Sequence, residues 1–276
     1  MLAGRSLKSV IKLVMNLFQT KEYLEIFFKH FCREQDIVDG IWEKQGDKLL
    51  LLGMKPVLGK EEVTDFGYSD IATLPVGYRH FQLDYIREDS ATYTRFKDRA
   101  EKIEVSPYID LPASGDEYLA GLERKHRKEI KRKFKRLEEL EYEFVNENNM
   151  PEFIRLHRLS DPAKNKFMSS AMAGFFQDVL GTKIPGWQTS LSFLKIDGQY
   201  AAGVVGFDSG DEYWLYNSGY DPRFNFYSAG LLLNALTIKL AIEAGKKKYD
   251  FLRGSERYKY ELGAKDLNLY RIEINQ

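Results

Sequence analysis

The chain has 276 residues, 43% hydrophobic and 14% aromatic, enough for one large or two ordinary domains with a proper core. Its 41 basic residues balance its 41 acidic ones, so total charge selects no partner and any anion site must come from a local cluster. A single cysteine, Cys32, excludes an internal disulfide and any multi-cysteine zinc site, and His30, His80, His126 and His157 lack metal spacing. No metal is therefore expected, and the compartment is expected to be reducing and cytoplasmic.

At the N-terminus, Arg5 and Lys8 precede an apolar run in the manner of a signal peptide. Lys12 interrupts that run, and no small-residue cleavage site follows. Leu7, Val10, Ile11, Val14 and Leu17-Phe18 instead share one helical face, so a packed amphipathic helix over Ser6–Phe18 is expected, with attachment to a membrane surface as the alternative. No run reaches transmembrane length. A second helix over Lys21–Arg33 follows, then strands Ile37–Glu43 and Lys48–Met54 around Gln45-Gly46-Asp47. Further strand-like pieces are Ile71–Leu74, Phe81–Ile86 and Ile103–Val105, and Asp89 or Ser90 can cap a helix running to Arg99. A domain boundary is expected near Pro107–Pro112, dividing the chain into residues 1–110 and 111–276.

Asp116 to Leu140 reads as one long helix. It carries nine Lys/Arg between Arg124 and Arg136, while Leu119, Ile130, Phe134 and Leu137 form one narrow apolar face. Eight of the nine cations fan across the other half, and Lys133 is the outlier. The plain reading is a solvated face. The functional reading is attraction of an anion: a phosphate-bearing donor, an acidic acceptor or RNA. No aromatic residues interleave the cations, so no stacking platform for single strands is read there.

The remainder is clearer. Tyr142–Val145 alternates as a short strand, Pro151 starts a helix to Ser160, and Asn165–Leu180 supports another. Thr189–Ile196, Gln199–Asp208 and Glu212–Gly219 are strands separated by Asp197-Gly198 and Ser209-Gly210, which marks an antiparallel meander. An apolar helix Ala229–Ala244 capped by Gly245, a buried strand Lys248–Leu252, a brief helix Glu256–Leu262 and a strand Leu267–Ile274 complete the order. Glu212 through the apolar helix to Leu252 is a β-α-β crossover. Its strands should be parallel, with ligand beyond their carboxyl ends.

Two segments meet at those ends. In Tyr227-Ser228-Ala229-Gly230, Ser228 is the expected N-cap, and the first helical N–H groups can hold phosphate. Gly230 serves either close phosphate approach or tight helix–sheet packing. In Arg253-Gly254-Ser255-Glu256-Arg257-Tyr258-Lys259, Lys259 can stabilise an oxyanion or phosphate, and Tyr258 can return a proton to a thiolate. Glu256 or Asp250 can accept a proton from an amine. The plain reading of this second segment is a surface helix start with ion pairs.

These residues resemble a known family. The strand order, the turn after the third meander strand, Leu122–Arg136, Tyr227–Leu233, Asp250–Gly254, Tyr258-Lys259 and Leu262-Gly263 resemble the Gcn5-related N-acetyltransferase (GNAT) superfamily, in its CelD-like and FemAB-like branch. Phe18–Tyr23 and Tyr68–Asp70 are similar to it as well. The resemblance implies an α+β (mixed α/β) fold of tandem acetyltransferase-like lobes, each a mixed sheet flanked by helices. It implies acyl transfer from acetyl-CoA or another acyl-CoA to an amine of a sugar, polyamine or peptide. Donor-binding candidates are Asn217, Tyr227, Ser228, Ala229, Gly230 and Leu231; catalytic candidates are Lys259, Tyr258, Glu256 and Asp70, the last positioning the acceptor from the other lobe. The donor-turn motif of acetyltransferases keeps only its final glycine here. Tyr258–Gly263 is similar to the Phe-Lys-x-x-Phe-Gly segment of FemAB enzymes, with Leu262 replacing an aromatic. Alternatives are aminoacyl transfer from aminoacyl-tRNA gripped by the basic helix, and a member that binds an anionic ligand without catalysis.

Overall fold

The computed structural model describes residues 16–32, 37–38, 42–51, 70–71 and 73–275. The expected first helix lies outside them except for a 3-10 turn, Leu17–Gln19. Thr20 caps α1 (Lys21–Phe31) with its hydroxyl on the Tyr23 N–H. β1 (Ile37–Val38), β2 (Trp42–Gln45) and β3 (Lys48–Leu51) follow. The single strand expected over Ile37–Glu43 is thus two antiparallel ones, and Gly46, at φ +65°, makes the β2–β3 turn. The expected strand at Ile71–Leu74 is not in the sheet; Ile71 is buried, but its N–H bonds the Thr92 hydroxyl rather than a neighbouring strand.

β4 (His80–Arg87), α2 (Ala91–Phe96) and β5 (Ala100–Asp110) come next. Pro107 lies inside β5, where the ladder uses its carbonyl to receive the Phe251 N–H. The long basic helix is broken into α3 (Gly115–Gly121) and α4 (Arg124–Leu137). Gly121 ends the first piece and Leu122 turns inward against Gly263, where a Cβ would meet its Cδ2 at 2.6 Å. β6 (Tyr142–Asn146) and α5 (Met150–Ser160) lead to a second correction: Asn165–Leu180 is not one helix. Buried Met168 separates α6 (Pro162–Phe167) from α7 (Ser170–Gly181), which Ser169 caps. β7 (Gln188–Ile196), β8 (Gln199–Asp208) and β9 (Glu212–Tyr220) form the expected meander. α8 (Ala229–Glu243), β10 (Lys248–Asp250), α9 (Arg257–Glu261) and β11 (Lys265–Asn275) complete the chain.

The described strands form one mixed sheet in the order β1-β2-β3-β4-β11-β5-β10-β9-β8-β7-β6. The last strand does not extend its own half; it inserts antiparallel between β4 and β5. The α+β class is as expected, helices flanking a mixed sheet. The division at residue 110 is a proposal about two lobes, and the structure adds that one strand and one core cluster, Leu17 to Ile274, cross it.

Alternation along the strands gives the sheet two apolar faces. Val205 and Trp214 join α1, α5 and α7 in one cluster, while Val204 and Leu215 join α3, α4 and α8 in the other. α8 is apolar over most of its surface, as a helix covered on several sides must be, with Lys239 and Glu243 paired on its solvent side. Small residues bring the layers close: a Cβ on Gly219 would overlap the backbone of His157 in α5.

Candidate active site

β9 and β10 are parallel, as the crossover requires, but they pair only over Glu212–Trp214 and Lys248–Asp250. Past Trp214, β9 runs six residues further, paired with β8 alone, and a bulge at Tyr216 shifts its register between Leu215 and Asn217. Past Asp250 the chain instead follows β5, with Phe251 N–H on Pro107 O and Gly254 N–H on Val105 O. The two strands part, and a notch opens between Asn217-Ser218 on one wall and Phe251–Gly254 on the other.

The α8 mouth lies on one side of this notch. Pro222–Tyr227 form a 3-10 turn, and Ser228 follows at φ +56°. Ser228 does not cap the helix with its side chain as expected; its hydroxyl accepts from Lys133 Nζ at 2.6 Å. The first α-helical bond runs from the Leu232 N–H to Ser228 O, so the N–H groups of Ala229, Gly230 and Leu231 precede the ladder. A Cβ on Gly230 would lie 3.2 Å from Tyr220 Cδ1, so a side chain there would crowd that ring where helix and strand pack. Asn217 Oδ1 accepts the Ser218 N–H, and the Asn217 side chain also bonds the His157 ring.

Tyr258 lies on the same face. It packs with Tyr227, Leu231 and Ala229 against the α8 cluster, its ring 6.1 Å edge-on from Phe251. Burial raises the pKa of its hydroxyl, and Glu256 raises it further, so the group holds its proton at neutral pH. That is the state a general acid requires.

Lys259 is placed differently from the expectation of a free catalytic ammonium. It is 2% exposed, and its Nζ donates to the carbonyls of Leu252 (3.2 Å), Arg253 (2.7 Å) and Gly254 (2.9 Å) and pairs with Glu256 at 2.8 Å. It fastens a corner in which Leu252 and Gly254 both have positive φ. Glu256 folds back over Gly254, where any Cβ would meet Oε2 at 2.5 Å, and keeps more than half of its side chain in solvent.

Asp70 is not brought to the corner. It accepts the Thr92 N–H and so supports the start of α2; among the described residues no hydrogen bond or ion pair joins it to the notch. Asp250 is fully buried, receiving Arg87 Nη1 (3.0 Å), Ser106 Oγ (3.0 Å) and the Leu252 N–H (2.8 Å), and is thereby committed to structure.

Three groups were missed in the sequence. Lys133, the lone cation on the apolar face of α4, is the one that reaches the α8 mouth; its misfit to the helical pattern was the available signal. Lys164 of α6 donates to Ser218 O at 2.6 Å on the β9 wall. Burial lowers its pKa, while the charges of Glu256 and Asp161 pull it up. His157 is 1% exposed with Nδ1 unpartnered, and burial holds its pKa down to about 4. Nothing in the sequence marked either. Among the described residues no cluster of His, Cys, Asp or Glu could hold a metal, and no helix is long and apolar enough to cross a membrane.

A mixed sheet whose central parallel pair parts beside a helix mouth and a protonated tyrosine defines a group-transfer fold of the acetyltransferase kind. A model of the acetyltransferase (GNAT) domain matches residues 124–260, and that segment is a domain of the GNAT kind. Among solved structures, FemX aligns with a TM-score of 0.59 at 10% identity, over 93% of this chain and 92% of its own. The C-terminal domain of a putative lysylphosphatidylglycerol synthetase from Agrobacterium fabrum aligns with a TM-score of 0.55 at 14% identity, over 94% and 89%. A conserved protein of unknown function from Bacteroides thetaiotaomicron gives 0.51 at 12%, over 71% and 70%. These are likenesses of fold. No curated protein matches the chain significantly.

Proposed function

We propose that the protein is a cytoplasmic N-acyltransferase that moves an acyl group, acetyl or longer, from acyl-CoA to an amine of a sugar, polyamine or peptide. The observation that carries this reading is the parting of β9 from β10, with the α8 mouth and the Tyr258 hydroxyl packed against one apolar cluster beside it. The diphosphate of the donor lies against the N–H groups of Ala229–Leu231, and Tyr227 and Asn217 line its approach. The thioester reaches into the notch. The amine nitrogen attacks the thioester carbonyl, and the carbon–nitrogen bond forms as an oxyanion develops, stabilised by the Lys164 ammonium. The intermediate collapses, the carbon–sulfur bond breaks, and Tyr258 protonates the leaving thiolate. Glu256 takes the proton from the new ammonium, directly or through water. Lys259 holds the corner that carries both groups.

The test is melting of the protein with coenzyme A and acyl-CoAs of rising length, followed by thiol release with a panel of amines. A donor that binds the native state raises the melting temperature with its affinity. No acyl-CoA shift and no thiol release with any acceptor would remove the reading.

A second reading, aminoacyl transfer from aminoacyl-tRNA, is favoured by one feature: Arg124, Lys125, Lys128, Lys131, Arg132 and Lys135 are all exposed along α4. It requires steeply salt-dependent tRNA binding that falls when Lys128 and Lys131 are neutralised. Absence of tRNA binding at low salt excludes it.

A further inference from the structure

Phe226 stands on the turn that leads into α8, yet its side chain is 66% exposed. Its orientation is nonetheless fixed. The Arg136 guanidinium lies over one face of the ring, 4.1 Å from the centroid, and Arg136 Nη1 donates to the carbonyl of Phe226 itself at 2.8 Å. Tyr227 meets the ring edge-on at 5.2 Å. Three residues before Arg136, on the same side of α4, Lys133 reaches Ser228. Helix α4 thus grips the donor turn at two points. The result is a rigid aromatic face open to solvent, with an ammonium beside it.

A ring that served only to pack would be turned inward, as Phe224 and Tyr227 of the same turn are. Among the described residues, the other large apolar side chains that stand exposed are Val76, Tyr142, Leu159 and Leu240, and none of them has a cation over it. The charges around the face favour an anion. Glu129 approaches Lys133 to 3.7 Å, but Arg132 already holds that carboxylate at 2.6 and 3.0 Å, and Lys133 and Arg136 remain as a positive pair at the turn.

We propose that the open face of Phe226, backed by Arg136, stacks the adenine base of the donor while Lys133 takes one of its phosphate oxygens. The ligand assignment rests on the acyl-transfer reading above and deepens it. Coenzyme A carries an adenosine with phosphates on its ribose, and a charged tRNA presents its acyl group on a terminal adenosine, so the chemistry recognised is a phosphorylated adenosine in either case. A flat base on an aromatic face gives affinity without sequence readout, and the guanidinium behind the ring adds cation–π attraction.

The probe is adenosine 3′,5′-bisphosphate, titrated calorimetrically into the full chain, with coenzyme A, pantetheine 4′-phosphate and a charged tRNA as further arms. The variants are Phe226→Ala, Phe226→Trp and Lys133→Gln. Because the Phe226 ring is exposed, Phe226→Ala should melt within a degree or two of the parent. Phe226→Ala is expected to weaken the bisphosphate about tenfold, and Phe226→Trp to retain it with fluorescence quenched by the base. Affinity for pantetheine 4′-phosphate, which has no base, should change much less. Lys133→Gln should weaken every phosphate-bearing arm. A Phe226-dependent loss shared with coenzyme A assigns the adenosine to acyl-CoA; a loss shared only with tRNA assigns it to the nucleic acid.

Equal affinities in Phe226→Ala and the parent, or equal losses for the base-free ligand, overturn the platform. If acyl-CoA turns over while Phe226→Ala leaves its Kd and KM unchanged, the platform falls and the acyl-transfer reading stands. If the bisphosphate binds through Phe226 but no acyl donor is turned over, the platform stands and the transfer reading falls.

Discussion

Removing the Lys259 ammonium separates a structural role from a catalytic one. Lys259→Met keeps the aliphatic stem and deletes the charge. The carbonyls of Leu252, Arg253 and Gly254 then lose their shared donor, and Glu256 loses its partner 2.8 Å away. A buried acceptor left without a donor costs about 1–3 kcal/mol. Glu256 is 58% exposed and finds water, so its share is small. Water can also enter the corner from the notch side and satisfy part of the remainder. With three carbonyls affected and part of the cost recovered by water, the net loss should be on the order of 2–5 kcal/mol. The residue strain at Leu252, at φ +57°, is no longer held in place and adds to local opening. The assay is urea unfolding followed by circular dichroism, with kcat measured at a temperature where the variant remains folded. Lys259→Arg should rescue stability only partly, because a planar fork does not match three convergent carbonyls. Lys259→Met with parental unfolding and abolished turnover would refute the reasoning, because the ammonium would then be free to act on substrate.

Tyr258→Phe should lower kcat by about tenfold to a hundredfold with little change in melting, and an unchanged rate would leave the thiolate to be protonated by solvent. His157 should make the protein acid-sensitive: its folded pKa of about 4 lies below the ordinary 6.5, so the unfolded chain takes up a proton between those values and stability is lost as pH falls through that window, by about 3 kcal/mol in total. Melts at pH 7.5 and 4.5 should differ less in His157→Gln than in the parent, and equal differences would count against a buried neutral imidazole. Gly219→Ala should destabilise by about 1–3 kcal/mol or more through overlap with the backbone of α5, which denaturant midpoints will read directly.

Local signals carried much of this fold. The meander follows from Asp197-Gly198 and Ser209-Gly210, where Asp197, Gly198 and Gly210 all take the positive φ that tight hairpins demand. The crossover through α8 follows from one apolar run of helical length between two strand patterns. What escaped was non-local. The pairing of β11 between β4 and β5 depends on contacts more than 150 residues apart, and no pattern within β11 announces its neighbours. The breaks at Leu122–Glu123 and Met168 lie in segments whose composition suits a continuous helix; burial of Leu122 and Met168 decided otherwise. The same limit applies at the site. Tyr258 and the α8 mouth were legible because each sits at an element boundary with a characteristic residue set. Lys164 and His157 acquire meaning only once α5 and α6 fold over β9, and Lys259 changes role because three carbonyls converge on it.

The corner beyond β10 is built by both halves of the chain, which bears on what the N-terminal half is for. Asp250 closes the parallel strand, and its carboxylate is satisfied by Arg87 from β4 and Ser106 from β5. One residue past the Leu252 turn, the Arg253 guanidinium lies over the Tyr85 ring at 4.1 Å, again from β4. A chain of residues 111–276 alone would bury Asp250 without a counter-ion and would leave β11 with neither strand that flanks it. The segment matched by the family model therefore does not contain all that shapes its own notch. The N-terminal half supplies the wall against which Phe251–Gly254 is laid, and the separation of β9 from β10, on which the proposed acyl transfer depends, exists because β5 holds one of the two strands and β8 the other.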